Sequence, residues 1–310
     1  MKSNLKYQLI LHFIVLIWGL TGILGDYIKL DVYSPQSFEI DQASISLKIV
    51  FFRTLIASAS LFLIGLFIKR RVTLTASQIT MLLGVGAIIG LHWFAFFFAI
   101  KVSTVSIGVV CMTLSTLFTS ILEPIVFGRR VSFSEIVISL VIIAGIALIF
   151  GFEFKYALGI TFGIISAFFA SLFTVLNGRF IKTIPSFKIT KFEMLGASIF
   201  TGIGLWLFDE WHWSLFDISI SNAFYLVFLA LVCTTFAFMV SVWVMKHVTP
   251  FTVSVSINME PIYTILVALA LNPFKEKMSV GFYIGGSLIL MAIFTNAYLK
   301  KIARRKARLT

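Results

Sequence analysis

Apolar residues along this chain come in long unbroken runs, not in alternation. The runs cover roughly Gln8–Gly25, Ile49–Ile68, Thr80–Ile100, Val105–Phe127, Phe133–Gly151, Tyr156–Leu176, Phe192–Phe208, Asn222–Met245, Thr252–Leu271 and Ser279–Leu299. Most approach the ~20 residues that an α-helix needs to cross the hydrocarbon core of a bilayer. Runs of this kind exclude a transmembrane barrel, whose strands alternate lipid-facing and lumen-facing residues. The expected fold is therefore an all-α integral membrane protein with ten transmembrane helices. The first run follows Lys2 and Lys6, as a secretory signal would. It is longer than a signal's apolar core, and no small-residue cleavage site follows "GILGDYIKL". A retained first helix is expected.

Between the runs, charge is unevenly distributed. One set of loops holds Lys2, Lys6, Lys69–Arg71, Arg129, Arg130, Arg179, Lys182, Lys188, Lys191, Lys246 and the tail "KKIARRKAR", 18 of the 25 Lys and Arg. The other set holds Lys29, Lys48, Lys101, Lys155, Lys275 and Lys277, which is 6; the remaining one is Arg53. Cationic loops stay in the cytoplasm, so both termini are expected there and the protein is expected in the cell membrane as a multi-pass chain. Composition agrees: 59% of residues are hydrophobic, 12% are charged, and mean hydropathy is +1.03. The net charge of +12 concentrates in topology-setting loops and a tail suited to anionic lipid, which argues against a nucleic-acid partner. Cys111 and Cys233 lie inside apolar runs with no metal-binding or disulfide spacing, so no metal or cofactor is expected.

The chain also repeats itself weakly. "FFRTLIAS" (Phe51–Ser58) aligns with "KFEMLGAS" (Lys191–Ser198), and "KVSTVSIGV" (Lys101–Val109) with "KHVTPFTVSV" (Lys246–Val255) through one gap. This divides the chain into residues 1–151 and 152–310, five runs each. Five is odd, so the two repeats enter the membrane in opposite orientations. Many secondary transporters are built this way, with the solute site near midplane between the repeats.

The order of several segments resembles the drug/metabolite transporter superfamily, in its EamA-type ten-helix form. They are "LIWGLTGILG" (Leu16–Gly25), "FFRTLIA" (Phe51–Ala57), "SIGVVCMTLSTLFTSILEPIVFGRRVS" in the fourth run, "VTPFTVSVSINMEPIYTILVALALNPFKEKMS" in the ninth and "GFYIGGSLILMA" in the tenth. The family pattern carries a glycine–glutamate pair after the fourth and ninth helices. Here those positions read Gly128–Arg129 and Lys275–Glu276, a departure in both copies. The resemblance implies a secondary carrier of small organic solutes, often an exporter. It leaves the substrate open.

Polar residues deep in the runs are candidates for the solute site. Glu260, in "NMEPIY", lies about 12–13 Å into its helix at 1.5 Å per residue, near midplane. Intramembrane acids are usually functional, and Pro261 behind it breaks the helical ladder. Thr252, Ser256, Glu260 and Tyr263 fall on one helical face; so do Thr113, Thr116, Ser120 and Glu123 in the fourth run. His92 lies near midplane in "GLHWFAFFF" and is the one such group that ordinarily titrates near neutrality. Trp18 and Trp93 are too deep to be interfacial and need an N–H partner or a cavity wall. Trp206, Trp211 and Trp213 read as outer-face anchors.

Each candidate has a plainer alternative. Glu260 could be a satisfied structural acid, and His92 a neutral inter-helix hydrogen-bonding group. Serine and threonine hydroxyls can bond their own helix and stay hidden. Arg53 lies about 24 Å from the cytoplasmic end of its helix. It serves there as a gating or structural charge, as an attractor for an anionic solute group, or merely snorkels to the outer surface. The pairs Gly86/Gly90, Gly159/Gly163 and Gly281/Gly285 mark close helix approaches. The polar stretch Asp31–Ser46 is expected to be poorly packed or a short surface helix.

A carrier is the favoured function, working as a monomer or homodimer on a small-molecule solute within the lipid bilayer. A channel or facilitator is the alternative, although no selectivity element is visible. A membrane enzyme would need clustered His, Asp or Cys, and the four histidines are scattered. The charge split predicts that Thr310→Cys is shielded from a membrane-impermeant thiol reagent in intact cells. Labelling from outside would reverse the orientation.

Overall fold

The computed structural model describes residues 2–33, 35–68, 72–128 and 133–306. Its helical segments group into ten rods: α1 (Lys2–Tyr27), α2 (Phe38–Phe67), α3 (Ala76–Lys101), α4 (Val105–Phe127), α5 (Phe133–Phe152), α6 (Ala157–Phe180), α7 (Ser186–Leu207), α8 (Ile220–Val244), α9 (Pro250–Leu271) and α10 (Val280–Lys306). No strand occurs among the described residues. Seven rods (α1–α4, α6, α8 and α9) are long and apolar enough to cross a membrane. In α5 and α10 the apolar stretches are shorter, Leu140–Phe152 and Val280–Ala292. The first turns of α7 carry Lys188, Lys191 and Glu193. The cationic loops Lys69–Arg71 and Arg129–Arg130, and Thr310 in the tail, lie outside the described residues.

Local sequence explains where several rods begin. Thr75 opens α3 with a reciprocal capping box to Gln78; Thr104, Ser219 and Thr249 cap α4, α8 and α9 with their hydroxyls. Pro250 occupies the first turn of α9, where its missing N–H costs nothing. Gly128, at φ 68°, ends α4 in the left-handed region that glycine enters freely.

The packing pattern repeats. α3 lies against α7 and α6, and α2 against α8; α1 lies against α8 and α9, and α4 against α6. α2 meets α7, α4 meets α9, and α5 meets α10. Exchanging each of α1–α5 with its counterpart in α6–α10 maps this set of contacts onto itself. The tightest crossings use glycine. A Cβ on Gly86 would stand 2.2 Å from the Glu193 carbonyl oxygen, and one on Gly196 would stand 2.2 Å from that of Leu83. Gly145 and Gly285 face each other's carbonyls across α5 and α10 at 3.0 and 2.8 Å.

The stretch between α1 and α2 departs from expectation. Residues from Phe38 onward already belong to α2, which runs for 30 residues. The preceding loop is pinned. Lys48 donates to the Asp31 carbonyl (2.6 Å) and pairs with Glu210 (2.7 Å); Glu210 also accepts the Tyr33 N–H (3.0 Å). Both members of the ion pair are buried, and Tyr33 stacks on His212 at 3.6 Å. Lys101 donates to the carbonyls of Asp26 and Ile28 at the end of α1, where a cation complements the helix dipole. The loop is tied through its backbone, at Asp31 and Tyr33, by Lys48 and Glu210 from outside the polar stretch.

Replacing Gly196 by valine is expected to destabilise the protein by about 1–3 kcal/mol, the usual cost of overpacking. Gly84, with nothing within 4 Å of its would-be Cβ, should accept alanine without loss. Thermal melts of the two purified variants check the contrast.

Candidate functional site

Two rods are interrupted at mid-length. α4 passes through a tighter 3-10 stretch at Met112–Leu114. α9 breaks at Asn258–Met259 and resumes at Glu260, with Pro261 in the new first turn. The interruptions are tied together: Asn258 Nδ2 donates to Thr116 Oγ1 at 2.7 Å, and the Thr119 and Ser254 hydroxyls lie 2.9 Å apart. Carboxylates serve the N-terminal ends of these rods. Glu276 accepts the N–H groups of Val105 (3.1 Å) and Ser106 (2.9 Å) and the Ser106 hydroxyl (2.6 Å) at the start of α4. Glu123 of α4 accepts the Phe251 N–H (2.9 Å) at the start of α9. In this way Glu123, from inside the helix, does for α9 what Glu276 does for α4, although the first copy of the motif has Arg129.

Beside the interruptions lies a cavity of about 750 Å³, open mouth included. Trp18, Arg53, His92, Trp93 and Glu260 line its mid-bundle end. From there it runs toward the end of the bundle marked by Val242 and Met245 of α8 and Val253 of α9.

Arg53 is 1% exposed, so it does not snorkel to the surface. Its guanidinium carbon sits 4.0 Å from the Trp93 ring centroid, and its Nε donates to Thr234 Oγ1 at 2.6 Å. A desolvated cation–π contact contributes about 2 kcal/mol, and a charged hydrogen bond about 1.5–3 kcal/mol. Together they offset the ~2.5–3.5 kcal/mol of inserting an arginine into a membrane helix. Arg53 Nη1 has no hydrogen-bond partner, so the guanidinium keeps donor capacity. Glu260 faces the same cavity within reach of the Arg53 charge. Among the described residues the two form no direct ion pair.

His92 Nδ1 lies 3.0 Å from the Ser166 carbonyl. A carbonyl can only accept, so Nδ1 is the nitrogen that donates here, with the Ser166 hydroxyl 2.9 Å from it as well. The Ser166 hydroxyl returns a bond to the His92 carbonyl at 3.0 Å. Trp18 Nε1 donates to the Cys233 carbonyl at 3.0 Å.

The polar stripes behave differently from the expectation of one wet face. Thr113, Ser120 and Ser256 hydroxyls bond carbonyls of their own helix, and Thr116 receives Asn258. Glu123 caps α9, and Tyr263 lies on the α1 side, near Gly19. Of the two stripes only Glu260 lines the cavity; it shares a face with Val253 and Ile257, at i, i+4 and i+7, which the Thr252–Ser256 stripe only borders. Unanticipated wall residues include Ser115, Phe173, Thr174, Phe238, Ser241 and Ser254. A signal existed for some of them: Ser166, Ala170 and Thr174 recur every four residues along α6, as do small and polar positions along α8.

The EamA-like transporter family model matches residues 5–151 and again residues 157–298. The chain belongs to the EamA-like transporter family. Both copies of the EamA unit are therefore present, and the self-mapping contacts are those of a two-repeat architecture. No curated protein matches the chain. Among solved structures, 28 chains match. One crystal structure aligns with a TM-score of 0.65 at 17% identity, covering 95% of this chain and 99% of the other. At that identity the likeness shows the fold alone. This EamA-family chain is a multi-pass membrane protein of transporter type.

Lysine at position 53 keeps a charge but can neither stack as a plane nor donate through Nε. Arg53→Lys is expected to retain partial transport and Arg53→Leu to lose most of it, both at wild-type expression. Solute flux in sealed vesicles decides; normal flux in Arg53→Leu would make the arginine dispensable.

Proposed function

We propose that this protein is a secondary carrier that moves a small organic solute across the cell membrane by alternating access, with export the expected direction. It crosses the membrane ten times, as two inverted repeats (residues 1–151 and 152–310), with both termini in the cytoplasm. The observation that carries this reading is the mid-bundle cavity, where an arginine and a glutamate face shared space beside the paired interruptions of α4 and α9. Broken helices at midplane are where secondary transporters bind solutes and coupling ions.

In the orientation given by the loop charges, the cavity extends from midplane toward the cytoplasm. The opposite ends are held by Lys101, by the Lys48–Glu210 pair, and by Phe97, whose ring fills the space beside Gly25. This corresponds to an inward-facing conformation. Arg53 meets an anionic group of the solute. Glu260 takes up a proton or meets a cationic group, with His92, Trp18 and Trp93 forming the surrounding wall. A saturable carrier is favoured over a channel because the matching family is a transporter family and no selectivity element is visible in the sequence.

A thermal-shift screen of the purified protein against metabolites identifies the solute. Counterflow in proteoliposomes then separates carrier from channel, since a channel gives none. Glu260→Gln should bind and exchange solute yet lose accumulation driven by a pH gradient. If Glu260 instead pairs with a solute amine, binding should weaken at every pH by about 1–3 kcal/mol. Unchanged affinity, exchange and pH-driven uptake would leave Glu260 a structural acid.

A further inference from the structure

The only π-helical turn among the described residues runs from Leu229 to Phe236 in α8. In an α-helix the Ala237 N–H would bond the Cys233 carbonyl, four residues back. Here it is shared between the carbonyls of Val232 and Thr234, five and three residues back, and bypasses Cys233. The released carbonyl is the one that accepts Trp18 Nε1. The next residue, Thr234, donates its hydroxyl to the Leu229 carbonyl, again five back, at 2.8 Å. With its proton so directed, the Thr234 oxygen presents a lone pair to Arg53 Nε at 2.6 Å. Thr235 follows, its hydroxyl 3.0 Å from that of Ser60 on α2. Three consecutive residues thus each hold a different group of α1 or α2, and two of those groups are cavity walls.

We propose that this π turn is the positioning element of the cavity and that Thr234 is the positioning residue for Arg53. The turn's wider register aims the Thr234 oxygen at the guanidinium and frees one carbonyl for Trp18. Arg53 and Trp18 are thereby fixed relative to each other through α8. The role presupposes that the cavity is the solute site, but it does not require the solute to be known. π turns inserted in α-helices recur at functional sites, and here the bonds that such a turn creates are the ones made by the cavity-lining side chains.

The test uses the full-length protein in detergent and phenylglyoxal, which modifies accessible guanidinium groups. Peptide mass mapping follows the rate at Arg53, with Arg179 as internal reference. Wild type should react slowly at Arg53. Thr234→Val keeps the shape and removes the acceptor, and should raise the Arg53 rate by more than about tenfold, the factor expected for one lost charged hydrogen bond. Thr234→Ser should restore the slow rate. Should Thr234→Val not fold, Thr234→Ala replaces it, because alanine favours the helix. A folded Val or Ala variant with wild-type reactivity at Arg53 would overturn the proposal. So would a serine variant as reactive as valine. The assay contains no solute, so its outcome is independent of whether the carrier reading stands: a protein that transports nothing still reports on Thr234, and a failed positioning role leaves counterflow untouched.

Discussion

In an apolar medium, a backbone N–H or C=O released from a helix must find its partner inside the protein. That constraint governs where this bundle can open a cavity. Three rods that border it, α4, α8 and α9, leave regular α geometry near mid-length, and the groups at their breaks and ends are met by particular side chains. Glu276 and Glu123 take the N-terminal donors of α4 and α9. Trp18 takes the carbonyl freed in α8. Asn258 joins the two interruptions to each other. Without these partners, irregular backbone at that depth would leave unpaired groups, each costing on the order of 1–3 kcal/mol.

Charge within the cavity follows similar reasoning. Arg53 is held by a ring face and one hydroxyl, not by a carboxylate. On the proposed carrier reading, an ion pair with Glu260 would neutralise both groups and leave little for a solute to gain. Separated across shared space, each remains available. The buried pair Lys48–Glu210 shows the opposite arrangement. There, two charges satisfy each other and two loop backbone groups at once, and the result is a fastening.

Much of the fold is legible in the sequence. The apolar runs give the helices, the glycine pairs mark close crossings, and the repeated segments foreshadow packing that maps onto itself. Depth alone singles out Glu260, His92, Trp18 and Trp93 as cavity neighbours. The polar stripes mislead because their groups are already satisfied: the Thr113, Ser120 and Ser256 hydroxyls bond their own helices, Thr116 meets Asn258, and Glu123 caps α9. The π turn is invisible for a different reason: "LALVCTTF" is as apolar as any membrane helix, and the partners of its displaced groups, Trp18 and Arg53, lie on other rods. The loop before α2 looks loose because Lys48 and Glu210 are 162 positions apart, and their pairing depends on tertiary packing.

The self-mapping contacts carry a consequence for how the protein is made. A ribosome delivers α1–α5 before α6–α10. Yet α3 finds its principal neighbours in α6 and α7, α2 in α7 and α8, and α5 in α10. The first half therefore waits in the membrane with its glycine-lined faces uncovered, holding Arg53 before Thr234 has been translated. Assembly is completed only when the second half interleaves with the first, so the two repeats mature as one unit, and a ribosome that stalls midway leaves a fragment suited to quality control.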